Sequence, residues 1–339
     1  MQKITLLGCT LGLLLATQVQ ANEVPLGPTL SKIADAKGIT LGYRDASVPF
    51  SYVGDHTGQP MGYSVDLAGK IVERIEQKLA SGPLKVKYNL VTSQTRIPLV
   101  QNGTVDLECG STTNNIERQR QVDFSVGIFE VGTRLLTKKT SGVNDFPDLK
   151  GKNVVTTAGT TSERLLKAMN ADQQMGMNII SAKDHGESFL MLESGRALAF
   201  MMDDALLYGE KAKAKKPDDW VVVGKPMSEE AYGCMMRKGD PAFKKVVDAA
   251  LTKAMTSGEA AKVYAKWFQA PIPPKGLNLN WPMSDDPNAA SVRFFRTATC
   301  WSRLIDEKLF VALVVMALVT SMTSGPLMKW ALKKKAAAS

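Results

Sequence analysis

The 339-residue chain is 44% hydrophobic and 22% charged, a balance that excludes a disordered polymer and suits roughly two globular domains. Its formal charge of +9 is unevenly placed: residues 289–339 hold eight Lys/Arg against Asp306 and Glu307, and Lys3 adds one more. Residues 4–288 therefore carry only +2, which excludes a polyanion-binding body and with it a nucleic-acid partner.

The chain opens on "MQKITLLGCTLGLLLATQVQANE", a basic start, an apolar run and the small-residue site Val19-Gln20-Ala21. This predicts a signal peptide over residues 1–21 and an exported protein. In the exported portion, Cys109, Cys234 and Cys300 have no metal-site spacing. An oxidising compartment permits a Cys109–Cys234 disulfide, with two buried free thiols as the alternative.

"GITLGY" predicts a buried strand over Ile39–Tyr43, ending at Arg44. Leu67, Ile71, Ile75 and Leu79 recur four residues apart, one apolar stripe on a helix. "LKVKYNLV" alternates as a strand, "TSQTRIPLVQNG" opens a short helix ending at Gly103, and "TVDLECGS" is a further strand. The pattern restarts at "KGKNVVTTAGTTSERLLKAM", continues through "MNIISAKDHGESFLMLESG" and "RALAFMMDDALLYGEKAKAKK", and ends in the strand "AYGCMMRK" and two helices. The first of these helices has Asp240 as N-cap and Pro241 in its first turn, and the second starts near Ser257. Such β-α alternation predicts two α/β lobes, each a mostly parallel sheet flanked by helices, with crossings near Lys138–Asp148 and Gly224–Glu230.

Ligands of open α/β sheets bind beyond the carboxyl ends of the strands. Polar residues gather there: Arg44, Ser93 with Arg96, Ser111 with Thr113, Thr160 with Thr161, His185 and Asp203. In "LECGSTTNNIERQRQVDFS", Asn114 is a candidate helix cap with Glu117 as its capping-box partner. Arg118, one turn in, is placed to fold back onto a carboxylate, whereas Arg120 reads as a surface charge. "AGTTSERLL" lacks the Lys of a P-loop and suits a hydroxyl-and-amide cradle better than a phosphate site.

"GYRDASVPFSY", "MGYSVDLAGKIVERI", "TSQTRIPLVQNGTVDLECGSTTNNIERQRQVDFS", "GTTSERLL", "ISAKDHGESF" and "AFMMDDALL" follow one another in this order. From Leu30 to Pro282 the chain resembles the periplasmic glutamate/aspartate-binding proteins of ABC importers, within family 3 of the solute-binding proteins. The resemblance implies a type II periplasmic binding fold of two lobes joined by a two-strand hinge, with lobe 1 at 22–135 and 226–285 and lobe 2 at 136–225. It implies a monomer that captures L-glutamate or L-aspartate in the periplasm for permease subunits, without a cofactor. Arg118, Thr113 and Thr161 would hold the α-carboxylate, Asp203 and Ser111 the ammonium, and Arg44, Ser93, Arg96 and His185 the side-chain carboxylate.

Charge supports an acidic ligand. Arg44, Arg96 and Arg118 against Asp203 make the set +2 with His185 neutral, and glutamate or aspartate brings one net negative charge. Glutamine would leave Arg44 and Arg96 without a charged partner, at about 2–5 kcal/mol.

Two other functional classes stay in view. The same lobes can carry enzymes such as dehydratases. However, the chain has no Gly-x-Ser-x-Gly elbow, and its two histidines lack the neighbours of a metal centre. The second class is a membrane-anchored sensor. After a linker at 286–308, residues 309–328, "LFVALVVMALVTSMTSGPLM", form an uncharged apolar helix long enough to span a bilayer. This segment resembles the last membrane helix of a cation/proton antiporter, and the basic tail at 329–339 predicts a cytoplasmic C-terminus.

Overall fold

The structure is a computed structural model and describes residues 26–54, 58–273 and 275–281. The expected signal peptide (1–21), linker (286–308), apolar segment (309–328) and basic tail (329–339) lie outside the described residues. Among the described residues no helix is long and apolar enough to cross a membrane.

Helix α1 (Pro28–Ala36) leads into β1 (Gly38–Tyr43), and three short strands, β2 (Ala46–Ser47), β3 (Ser51–Val53) and β4 (Pro60–Met61), make a small sheet of their own. Helix α2 (Tyr63–Leu79) follows. Its apolar stripe is the buried face: Leu67, Ile71 and Ile75 are fully enclosed, and Leu79 at the helix end is half-buried against the same core. Strand β5 (Lys85–Leu90), α3 (Arg96–Gln101), β6 (Leu107–Glu108) and α4 (Ile116–Gln119) complete the first half. The expected strand over "TVDLECGS" contracts to Leu107–Glu108 because the chain then turns its backbone toward another strand. The N–H of Gly233 donates to Thr112 O at 3.0 Å, and that of Asn114 to Ala231 O at 2.7 Å.

Strand β7 (Val122–Lys138) is 17 residues long and is followed by β8 (Asn153–Thr157), α5 (Thr161–Asp172), β9 (Asn178–Ala182) and α6 (His185–Glu193). Then come β10 (Ala199–Asp203), α7 (Asp204–Lys213), β11 (Trp220–Val223), β12 (Glu229–Arg237), α8 (Pro241–Thr256) and α9 (Glu259–Tyr264). As the sequence suggests, Asp240 caps α8: its side chain accepts from Phe243 N at 3.0 Å.

The strands run in the order β5-β1-β6-β12-β7-β10-β8-β9, with β11 beside β7. Strand β1 is parallel to β5 and β6, and β8 is parallel to β9 and β10. β7 belongs to both halves. It pairs with β12 from Val122 to Gly132 and with β10 from Thr133 to Thr137. The first crossing therefore lies at Gly132–Thr133, ahead of the Lys138–Asp148 expected from the sequence. No proline interrupts residues 122–138, so one strand carries the chain across. The return crossing runs between β11 and β12, at Gly224–Ser228.

One large core runs through both halves, joining Phe50 and Tyr63 to Val155, Phe200 and Trp220, and the second half adds a core of its own. Leu135, Leu149, Val154, Leu166 and Met201 fill the second. In the first, Phe50, Tyr63, Phe129, Tyr264 and Phe268 pack ring on ring with centroids 4.6–6.3 Å apart. Cys109, just past β6, is disulfide-bonded to Cys234 in β12, with Cα atoms 4.4 Å apart across 125 residues of sequence. A cross-link closing so long a loop restricts the unfolded chain and contributes about 2–5 kcal/mol.

Candidate functional site

The carboxyl ends of β1, β6, β8, β9 and β10 converge between the two halves. Arg44 follows β1 directly, Glu108 ends β6, Thr157 ends β8, Asp184 caps α6 after β9, and Asp203 ends β10. All nine residues singled out in the sequence are buried, and the three arginines are only 1% (Arg44), 2% (Arg96) and 7% (Arg118) exposed. Charges so enclosed are rare unless they are paired.

Arg118 is held by α4. The helix starts one residue later than the sequence suggests: Asn115, not Asn114, is the cap, and its Oδ1 accepts from Arg118 N at 2.9 Å. Asn114 is otherwise engaged, its N–H on Ala231 O and its Oδ1 accepting from Gln119 Nε2 at 2.7 Å. The Arg118 guanidinium folds back as expected, donating to Thr113 O at 3.0 Å and, across the cleft, to Gly159 O at 3.3 Å. Gly159 is needed at that contact. Its φ of +77° suits glycine, and a Cβ there would come within 2.9 Å of Gln94 N on the opposite wall. Ser93, Arg118, Thr160 and Thr161 line one groove of about 410 Å³ at this mouth. Thr160 is the α5 cap, its Oγ1 accepting from Glu163 N at 3.1 Å, which leaves Thr161 at the first helical position. Arg120 is exposed.

Deeper in the cleft, Arg96 donates through Nη1 to Ser111 O at 3.2 Å and to Thr112 Oγ1 at 2.5 Å, while its Nε has no partner among the described residues. Ser111 Oγ reaches Ser47 Oγ at 3.3 Å. Arg44 is bare: none of its three guanidinium nitrogens has a hydrogen-bond partner among the described residues. Ser93 Oγ and His185 Nε2 are likewise unpartnered, whereas His185 Nδ1 sits 2.8 Å from Thr157 Oγ1. Burial, then the proximity of Arg44 and Arg96, pushes His185 well below its ordinary range, so the ring is neutral at pH 7. Burial and Arg96 push Arg44 down to about 10 and Arg118 down to about 9. Lowered values of this kind mean that burial and the neighbouring guanidinium outweigh the nearby carboxylates.

Asp203 marks the opposite pole. Its Oδ1 accepts from Ser162 Oγ at 3.2 Å and Thr133 Oγ1 at 3.5 Å, and Oδ2 accepts a short hydrogen bond from Tyr232 Oη. Burial first, then Glu230, raise Asp203 to about 7. The neighbouring Asp204 serves the backbone instead, accepting from Gly132 N and Ala205 N.

Sequence reasoning missed Glu108, Thr112, Ser162, Glu230 and Tyr232. Glu108 and Glu230 also correct the charge count. They set two more carboxyl groups against the three guanidinium groups. Glu108 acts on Arg44 and Arg96, and Glu230 acts on Asp203 and Arg118. The visible signal for Glu108 is a carboxylate directly before "CGSTT" in the predicted strand "TVDLECGS".

Two walls on two lobes, closing from strand ends over a buried charged cleft, match a family description directly: residues 39–270 fit "Bacterial extracellular solute-binding proteins, family 3". The chain belongs to this family. It is 73% identical over 273 residues to the L-glutamate/L-aspartate-binding protein of Pseudomonas aeruginosa, covering 80% of this chain and 90% of that one. It is 62% identical over 263 residues to the glutamate/aspartate import solute-binding protein of Salmonella typhimurium, covering 78% and 87%. Among solved structures, a mutant of the ArgBP of T. maritima superposes with a TM-score of 0.63 at 26% identity, covering 71% of this chain and 99% of that one. The type II periplasmic binding fold, with its mostly parallel sheets and flanking helices, is thus the family's own.

Proposed function

We propose that the chain binds L-glutamate or L-aspartate between its lobes, in the periplasm, and delivers it to the permease subunits of an ABC importer. The observation that carries this reading is the Arg44 guanidinium: fully buried, beside a second buried arginine, with no hydrogen-bond partner on any nitrogen among the described residues. A buried cation in that state favours an anionic ligand group, and a side-chain carboxylate supplies one. The names of the two relatives point the same way.

In this reading Arg118, Thr113 and Thr161 take the α-carboxylate, and Asp203 with Ser111 takes the ammonium. Arg44, Ser93, Arg96 and His185 take the side-chain carboxylate. A neutral His185 that accepts the Thr157 hydroxyl proton at Nδ1 carries its own proton on Nε2, facing the ligand. The lobes exchange at Gly132–Thr133 and Gly224–Ser228. The protein acts as a monomer.

Asp203 and His185 are the candidate acid and base, and both are fixed by hydrogen bonds within the protein. Native mass spectrometry of the purified protein is expected to show one bound amino acid, recovered unchanged after denaturation. A converted product would overturn the carrier reading in favour of a dehydratase-like enzyme.

The uncharged stretch 309–328 supports a further element of this proposal, that the protein is held at the inner membrane by its C-terminal segment. Full-length protein is then expected in the membrane pellet and released only by detergent. Recovery from the soluble periplasmic fraction would exclude the anchor.

A further inference from the structure

We infer that Glu108 sets the strength of the cleft's preference for a carboxylate over an amide, by placing one negative charge beside Arg44 and Arg96 without occupying their ligand-facing donors. The inference rests on the acidic-amino-acid reading above and concerns a residue to which that reading gives no ligand contact.

The geometry is specific. Glu108 is fully buried at the end of β6. It makes no ion pair with either arginine; its link to them is a relay, in which Arg96 Nη1 donates to Thr112 Oγ1 at 2.5 Å and Thr112 Oγ1 donates to Glu108 Oε2 at 2.8 Å. The other carboxylate oxygen, Oε1, has no hydrogen-bond partner among the described residues.

Two glycines make room for this side chain. A Cβ on Gly110 would stand 2.5 Å from Glu108 Oε1 and 3.2 Å from Arg44 Cγ, and one on Gly42 would stand 3.1 Å from Glu108 Cγ. The carboxylate and the Arg44 side chain therefore share one wall of the cleft, with no side chain between them at residue 110. Among the charges acting on Arg96, Glu108 is the foremost that favours its protonated form.

A counter-charge placed so acts twice. It lowers the cost of bringing two guanidinium groups together before a ligand arrives, and it weakens their pull on the ligand's carboxylate by the same Coulombic interaction. Because the relay uses a hydroxyl and not a contact ion pair, the Arg44 nitrogens and Arg96 Nε remain free to donate. Glu108 is thus a positioning residue for Arg96 and the charge regulator of that pole.

The test is the ratio of dissociation constants for glutamine over glutamate, and for asparagine over aspartate, measured by calorimetry on the wild-type protein and on Glu108→Gln. The glutamine side chain still accepts the Thr112 hydroxyl but carries no charge. The wild-type ratio is expected to rise about tenfold or more in the variant, because a unit charge on a neighbouring side chain exceeds that factor at the effective dielectric of a buried site.

Any uniform cost to closing or stability cancels in the ratio. A merely structural role would weaken both ligands in step, and an unchanged ratio would overturn the inference. Glu108→Asp, which keeps the charge, is expected to return the ratio to within about threefold of wild type. If Glu108→Gln does not fold, Glu108→Ala makes the same charge change and is read in the same way. Failure of the wild-type protein to bind either acid sinks the acidic-ligand reading itself. Wild-type binding with an unmoved ratio sinks only the role of Glu108.

Discussion

Arg118→Met is expected to reduce affinity for the amino acid by a factor of about 30 to several thousand, the equivalent of about 2–5 kcal/mol for losing one partner of a buried charge pair. The same change is expected to leave the thermal midpoint of the ligand-free protein unchanged or to raise it. The two effects diverge for one physical reason. Arg118 is 7% exposed and its value is pushed down to about 9, chiefly by burial and then by Arg96. A basic group with a depressed folded value contributes stability only above its unfolded range, and that contribution is lost as pH falls through about 9. At pH 7 its charge therefore works against the ligand-free fold, and apolar replacement of such charges is often neutral or stabilising. The hydrogen bonds to Thr113 O and Gly159 O that the variant gives up set the limit on any gain. Calorimetry paired with thermal unfolding separates the outcomes. Affinity and midpoint falling together would mean that Arg118 holds the lobes instead of the ligand.

The second large effect is on pH dependence. Asp203, raised to about 7 by burial and Glu230, is partly protonated at neutral pH in the ligand-free cleft. An ammonium group at Tyr232, Ser162 and Asp203 favours the ionised carboxylate, so protons compete with the ligand. Affinity is expected to rise between pH 5 and pH 8, with proton release on binding that appears as a buffer-dependent enthalpy. Asp203→Asn is expected to lose about a hundredfold in affinity at pH 8, as for one buried charge partner, and to flatten both dependences. Stability has the opposite sign. A carboxylate with a raised folded value contributes fully below its unfolded range, near pH 4, and the contribution is lost as pH rises through about 7. Asp204, raised to about 6 by burial, adds to the same trend. The ligand-free protein is thus expected to melt higher at pH 5 than at pH 8, while the ligand binds better at pH 8. Affinity that is independent of pH over this interval would remove Asp203 from the ammonium site.

What the sequence made legible were features with local causes. The α2 stripe, the Asp240-Pro241 helix start and the strand-end positions of Arg44 and Asp203 follow from periodicity and capping, and the structure keeps each one, whereas His185 opens helix α6 three residues past its strand. Asn114 was misplaced by one residue because two adjacent asparagines cap equally well, and only the bond from Asn114 N to Ala231 O, more than a hundred residues away in sequence, decides between them. The first crossing was placed too late because a strand that changes partners at Gly132–Thr133 shows no break in its own pattern.

Tyr232 and Glu230 were invisible for a related reason: β12 returns from the far side of the second lobe before it lies beside Thr113. Glu108 was hidden by the shortness of its strand, which offers too few residues for the alternation that would say which face it takes. The misses at the helix cap, the crossing, Tyr232 and Glu230 are all pairings between distant segments.

Recognition of an acidic side chain by Arg44 and Arg96 is open to a single titration. Calorimetry of the purified protein against glutamate, aspartate and glutamine is expected to give one site, with glutamate or aspartate bound at least about 30-fold more tightly than glutamine. Equal affinity for glutamine would rule this recognition out, because two buried guanidinium groups would then be indifferent to the loss of their charged partner.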